Sequence, residues 1–479
     1  MIEHPKIIQG GMGVAISDWK LAQAVSAQGQ LGIISGTGVA MIMTARLQKG
    51  DPNGHVRRAL SNFPDANVAQ RILDKYYVDG GTPEGTPFKR MTMWSLNPSQ
   101  ALLETTVAAN FVEVFLAKEG HNNPVGINLL EKVQLPNMAS LYGAMLAGVD
   151  YVIMGAGIPV QIAGILDKLA EHQPVEYRVD VHGASKDDDY RLGFDPEAVF
   201  PGISELGTLN RPYFLPIISS NVLAQALLKR STGKIDGFVI EHHTAGGHNA
   251  PPRGAMKLDD NGDPIYSHKD EVNLEKIRDI GLPFWLAGGY GTSEKLQEAI
   301  DNGAAGIQVG TAFAYCDESG LTRTLKDRVI DMALKNEIVV RTSPLASPTG
   351  FPFKVVQMSG TLAEPAVYEA RERVCDIGFL RHLYKEDDKI GFRCPAEPVD
   401  QYVKKGGKLE ETPGRTCLCN NLSAKAGFAN VRRNGYEEPS LMTSGDDLVN
   451  LSRYIPEGQT SYTAKDVLQY LTQGILEMA

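Results

Sequence analysis

The sequence predicts an α/β chain of the (β/α)8 TIM-barrel class, a ring of parallel strands surrounded by helices. Three observations predict it. Eight short apolar runs recur along the chain, most are followed by a helical stretch, and each ends in a glycine-rich or polar cluster. Strands that are apolar almost throughout and alternate with helices belong to a parallel sheet covered on its outer face. Eight such units close into a barrel, whose active sites sit on the loops after the strands.

Lys6-Ile7-Ile8-Gln9 runs into Gly10-Gly11-Met12-Gly13. Ser17 or Asp18 can cap a helix from Trp19 to Ala27 that stops at Gly29. Leu31 to Ser35 is the second strand, and Gly36-Thr37-Gly38 follows it. None of these clusters spells G-x-G-x-x-G and no P-loop motif occurs, so the two commonest nucleotide folds lack their fingerprints. From about 41 to 123 the chain reads as a helical insertion that could cover one end of the barrel. In it Leu103, Val107, Phe111, Val114 and Phe115 share one helical face, a packing stripe.

The strands resume at Val125–Leu129 with Asn128 near the end, and at Tyr151–Met154 before Gly155-Ala156-Gly157. A second insertion is expected at about 177–209, its acidic run Asp187-Asp188-Asp189 being a solvated surface. Phe214–Ile218, Phe238–Glu241, Phe284–Ala287 and Ile307–Val309 complete the eight. The barrel is expected over 1–345 and a C-terminal extension over 346–479.

The bulk composition bounds the function. The 479 residues, 43% hydrophobic and 22% charged, suit a soluble globular protein of more than one core. A net charge of −10 argues against nucleic acid or an anionic membrane as the main partner. No apolar stretch reaches membrane-span length and polar residues follow Met1 at once, so neither a span nor a signal peptide is expected. Five cysteines in such a chain suggest a reducing compartment, and the cytoplasm is the expected location.

Two regions carry chemistry. The loops after strands seven and eight, Gly288-Gly289-Tyr290-Gly291 and Gly310-Thr311, are where these barrels frequently bind phosphate through backbone N–H groups and a helix N-terminus. The other is Gly237 to Gly254, where a buried strand ends in Glu241-His242-His243 and Ala245-Gly246-Gly247-His248 follows. An imidazole on a loop held by a rigid scaffold is placed as a catalytic group would be. The spacing of Glu241, His242, His243 and His248 fits no metalloprotease motif, and no metal is assigned to them.

Four ordered stretches, KIIQGGMGVAISDWKLAQAVSAQGQLGIIS, VGINLL, GFVIEHHTAGGH and FWLAGGYGTSEKLQEAIDNGAAGIQVGTAF, resemble the nitronate monooxygenase family, formerly the 2-nitropropane dioxygenases. The related flavin-dependent enoyl-acyl-carrier-protein reductases share these motifs. The resemblance implies bound FMN, with its phosphate on Gly288, Gly289, Gly291, Gly310 and Thr311. It places the flavin ring by Gly10, Gly11, Met12 and Asn128, with Gly247 also cofactor-binding, the catalytic His248 on the substrate side and Gln308 contributing from the last strand. The chain departs from the family pattern at Thr244, where a Glu is usual, and at Ala312, where an Arg is usual. Both departures bear on the substrate more than on the flavin.

Two activities follow from the resemblance. One is oxidation of alkyl nitronates with O2 to carbonyl compounds and nitrite, in which the nitronate gives an electron to FMN and His248 acts as a base on a nitroalkane or, as imidazolium, steadies the anion. The alternative is an NAD(P)H-dependent enoyl-thioester reductase, which would bring NAD(P)H and acyl carrier protein as partners. A barrel that holds a phosphate ligand without turnover is the third reading. The substrate is a small molecule in the first two, and self-association into a homo-oligomer stays open.

The extension contains Cys375, Cys394, Cys417 and Cys419. Neither C-x-x-C nor C-x-x-C-x-x-C occurs there, and buried or incidental thiols are the simpler expectation. Cys316, just after the last barrel strand, reads as a packing residue.

Overall fold

The computed structural model describes residues 4–387 and 389–473. The eight expected strands all form: β1 Ile7–Gln9, β2 Gly32–Ser35, β3 Val125–Leu130, β4 Tyr151–Gly155, β5 Tyr213–Ile218, β6 Phe238–Glu241, β7 Phe284–Ala287 and β8 Gly306–Val309. All pair in parallel with their neighbours in chain order, and β8 returns to β1 with Ile7 opposite Ile307 and Gln9 opposite Val309. A single bridge, Ile8 to Leu31, joins β1 to β2 and closes the ring. Its bonds are Gln9 N–H to Leu31 O at 2.9 Å and Leu31 N–H to Ile7 O at 3.0 Å. A closed parallel barrel leaves no strand edge exposed.

Alternation along each strand divides the apolar residues between two cores. Ile8, Leu31, Ile33, Ile153, Leu215, Val239 and Trp285 fill the barrel. Their neighbours Ile7, Ile34, Val152, Phe214 and Phe238 point outward into the packing with the helices. At the N-terminal end of the strands the chain itself plugs the barrel: Trp285 Nε1 donates to Pro5 O at 2.8 Å, and His4 Nδ1 lies 3.2 Å from Tyr151 Oη.

The first two ring helices are α1 Trp19–Ser26 and α2 Gln100–Lys118. Asp18 caps α1, its carboxylate accepting from Lys20 N–H and Leu21 N–H. The sequence reading places α2 within a covering insertion. In the structure it packs between α1 and α3, Asn137–Leu146, in the ring position of the second β/α unit. Small residues allow this: a Cβ on Gly143 of α3 would lie 2.1 Å from Val107 O of α2, so only glycine lets the two backbones touch. The stripe Val107, Phe111 and Val114 is buried in that contact region.

At the expected second insertion a short antiparallel pair, Val175–Arg178 with Arg191–Phe194, begins two residues before 177 and is followed, after its first strand, by Val181–His182. The latter pairs with His382–Glu386 of the extension, which in turn pairs with Lys389–Arg393. The extension's Phe353–Val356 also pairs, antiparallel, with Val340–Ser343 just before it. Its helix Ala464–Thr472 lies against α1 and against Ser293–Asp301, the helix after β7. Among the described residues no helix is long and apolar enough to cross a membrane.

Candidate functional site

The loop after β1 is built by two buried polar side chains. Gln9 Oε1 accepts from Ile33 N–H at 3.0 Å, and its Nε2 donates to Ser17 Oγ at 2.8 Å. Ser17 Oγ in turn accepts from Met12 N–H and donates to Gly10 O, both at 2.9 Å. Gly10-Gly11-Met12 is thereby held against β3, so closely that a Cβ on Gly11 would lie 2.3 Å from Asn128 Cβ. No residue with a side chain fits at position 11.

After β7 the chain turns through Gly288 and Gly289, both at positive φ (89° and 77°), a region that favours glycine. Thr292 then caps the following helix, its hydroxyl accepting from Lys295 N–H at 3.2 Å. The N–H groups of Gly288, Gly289, Tyr290 and Gly291 find no acceptor among the described residues. Orphan donors beside a helix N-terminus are the elements of an anion site.

The extension covers these loops. Tyr454 Oη donates to Gly291 O at 2.6 Å, and a Cβ on Gly291 would meet Asp447 Oδ2 at 2.4 Å. Gly445 N–H donates to Thr311 Oγ1 at 3.0 Å, so the hydroxyl keeps its own proton to give. Gly247 N–H reaches Thr443 Oγ1 at 3.1 Å.

One cavity of about 270 Å³ lies under this cover at the C-terminal mouth of the barrel. The structure brings all twelve residues singled out from the sequence to its wall: Gly10, Gly11, Met12, Asn128, Gly247, His248, Gly288, Gly289, Gly291, Gln308, Gly310 and Thr311. His242 and His243 are not on it. His242 Nδ1 lies 3.0 Å from Thr244 Oγ1, and His243 stacks on Tyr266 with ring centroids 3.9 Å apart.

His248 Nε2 sits 2.7 Å from Ser347 Oγ, which lies 2.8 Å from Thr349 Oγ1. The ring packs edge-on against Phe353 at 4.9 Å. Burial, with Lys132 adding a smaller effect, pushes the imidazole down to about 4, so it is neutral at physiological pH. Glu241, at the end of β6, makes no hydrogen bond among the described residues, and burial pushes its carboxyl up to about 8. Gln308 Oε1 is buried on the same wall without a partner among the described residues, and Tyr315 and Ser444 face each other there. A cavity ringed by unsatisfied donors and acceptors is shaped for a polar ligand.

Sequence reasoning did not assign Glu241, Tyr315, Ser347, Lys425 or Ser444 to the site. Glu241 was legible as the polar end of a buried strand. The other four stand outside every motif that marked the barrel.

The four extension thiols converge on a second cavity of about 10 Å³, lined also by Arg381 and Glu397. Cys417 and Cys419 share a hydrogen bond that lowers the first thiol and raises the second. All five cysteines are free, and among the described residues no three His, Cys, Asp or Glu side chains are grouped so as to hold a metal ion. Cys316 is buried, with Sγ donating to Phe313 O at 3.2 Å, as a packing thiol would.

Residues 195–346 match the family model described as nitronate monooxygenase. No curated protein matches the chain. Among solved structures, FabK from Thermotoga maritima aligns at 16% identity over 100% of this chain and 95% of its own, with a TM-score of 0.45. Nitroalkane oxidase from Streptomyces ansochromogenes aligns at 13% over 99% and 98%, with a TM-score of 0.47. The enoyl reductase domain of MlnA from Bacillus amyloliquefaciens aligns at 10% over 99% and 97%, with a TM-score of 0.45. The matched segment contains β5 to β8, His248 and both glycine loops of the cavity. Over residues 195–346 the chain is thus similar to the nitronate monooxygenase family.

Proposed function

We propose that the protein is an FMN-dependent oxidoreductase of the nitronate monooxygenase type, converting alkyl nitronates and O2 to carbonyl compounds and nitrite. The observation that carries this reading is the meeting of His248 with the two glycine loops on one cavity. The four orphan N–H groups from Gly288 to Gly291 suit a phosphate, and Thr311 has a hydroxyl proton to add. Gly10 and Gly11 bring bare backbone up to Asn128, which suits a ring, and Gln308 Oε1, without a partner among the described residues, suits its polar edge. FMN when bound supplies the one-electron chemistry by which a nitronate is oxidised and O2 is engaged.

The protein's own groups supply placement and protons. A neutral imidazole can accept a proton, and the Ser347 hydroxyl at Nε2 fixes its ring. Cover by the extension limits contact of the site with bulk water, which strengthens polar contacts within it.

The walls contributed by Phe353, Phe379, Leu380, Leu418 and Leu422 favour a second reading, since an apolar flank of that size suits an acyl chain. Under it the activity is NAD(P)H-dependent reduction of an enoyl thioester, with acyl carrier protein as the donor of the substrate. Oxygen uptake by the FMN-loaded protein with ethyl nitronate, without NAD(P)H, decides between them. Uptake with nitrite release supports the first reading; with nitroethane in place of its nitronate, so that a proton must be removed, His248→Ala should lower the rate by on the order of a hundredfold while leaving flavin bound. No uptake, together with NAD(P)H-dependent loss of a crotonyl thioester's enoyl absorbance, replaces it with the second.

A further inference from the structure

Three lysines are almost wholly buried, and two of them are accounted for. Lys354 pairs with Asp446 Oδ1 at 2.6 Å, and Lys326 Nζ donates to Asp317 O and Ser319 O. The third, Lys425, is 3% exposed, borders the main cavity, and makes no side-chain hydrogen bond or ion pair among the described residues. Lysine is almost never buried without a partner, because an unpaired ammonium taken out of water is costly. Lys425 is nevertheless fixed in place. It ends the helix Leu418–Ala424, and its carbonyl accepts from Thr322 N–H at 3.1 Å, which ties it to the loop beyond β8.

We propose that Lys425 is the anchor for an oxyanion bound in the main cavity, an anchor supplied by the C-terminal extension rather than by the barrel. The other titratable groups on that wall, Glu241, His248, Tyr290, Tyr315, Cys419 and Asp447, leave it unpaired, and Asp447 is already engaged by Arg453. Burial alone acts on the amine, pushing it down to about 7, so it can meet an anion as a cation or take up a proton in doing so. The oxyanion has two chemical sources: the flavin, through its phosphate, or the substrate, through a nitronate or an enolate oxygen. Only the first source rests on the flavin reading.

The test is calorimetric titration of the full chain at pH 8 in two buffers of different ionisation enthalpy. One arm titrates FMN into apoprotein. The other titrates propanoate, a planar oxyanion of nearly the shape of ethyl nitronate, into FMN-loaded protein and into apoprotein. For whichever ligand meets Lys425, Lys425→Met should weaken binding at least about tenfold. It should also remove a proton uptake approaching one per site, and Lys425→Arg should restore affinity without the uptake. Glu241 titrates in both wild type and Lys425→Met, so the difference between them isolates the lysine. An effect on propanoate alone assigns the oxyanion to substrate; an effect on FMN assigns it to the cofactor. Lys425→Met binding both ligands like wild type, with unchanged uptake, overturns the proposal. So does wild type that takes up no proton with either ligand. A chain that refuses FMN refutes the flavin reading, while the propanoate arm on apoprotein still decides Lys425.

Discussion

Glu241→Gln should change the pH dependence of stability in a direction opposite to that of most carboxylates. The carboxyl of Glu241 ionises at about 8 in the folded protein against an ordinary 4.5, with burial as the cause. Between those values the folded state holds a proton that the unfolded state has released. Stability is therefore fully present below about pH 4.5 and is lost as pH rises toward and through 8. Taking pH 5 to pH 9, linkage gives a loss of about 4 kcal/mol, a ceiling because the exposed part of the side chain opens onto a cavity that can admit water. Gln keeps the shape and the hydrogen-bonding capacity but carries no titrating proton. Chemical denaturation of wild type and Glu241→Gln at pH 5, 7 and 9 reads the difference directly. The variant should gain on wild type by up to that amount as pH rises. A gap that stays constant across the range would show that Glu241 ionises as an ordinary glutamate, and the protonated acid at the mouth of β6 would have to be abandoned.

Gly11→Ala should weaken FMN binding measured by flavin fluorescence, since its Cβ would lie 2.3 Å from Asn128 Cβ and must displace either the loop or β3; overpacking of this kind costs about 1–3 kcal/mol. Ser347→Ala removes the partner of His248 Nε2 and should lower kcat about fivefold with KM little changed, as expected for about 1 kcal/mol of lost positioning. A larger fall in flavin content than in kcat would contradict it. Tyr454→Phe deletes the donor to Gly291 O, and a loss of about 1 kcal/mol in unfolding free energy should appear together with weaker FMN binding.

The barrel was legible because each strand is a short apolar run with a turn at its end, and neither feature depends on distant residues. The barrel side of the cavity was legible for the same reason: Gly10, Gly11, Gly288 and Gly289 are local backbone requirements written as glycine. The position of α2 was not, since the buried stripe of Gln100–Lys118 shows that the helix packs but not against what. Its seat is set by the small residue Gly143, on another helix. Lys425, Ser347, Tyr315 and Ser444 were illegible for a related reason. Lys425, Ser347 and Ser444 reach the cavity through packing of the extension on the barrel, and Tyr315 lies just past the last barrel motif; no period or spacing in the sequence records such contacts.

The cavity wall joins Gly10 to Asp447, positions more than four hundred residues apart. A growing chain therefore has no ligand site until nearly all of this span has left the ribosome, however early the barrel strands begin to pair. Completion of the cavity is thus a late event in the life of the polypeptide, and a frameshift in the final stretch before Asp447 should leave the chain without a complete ligand site.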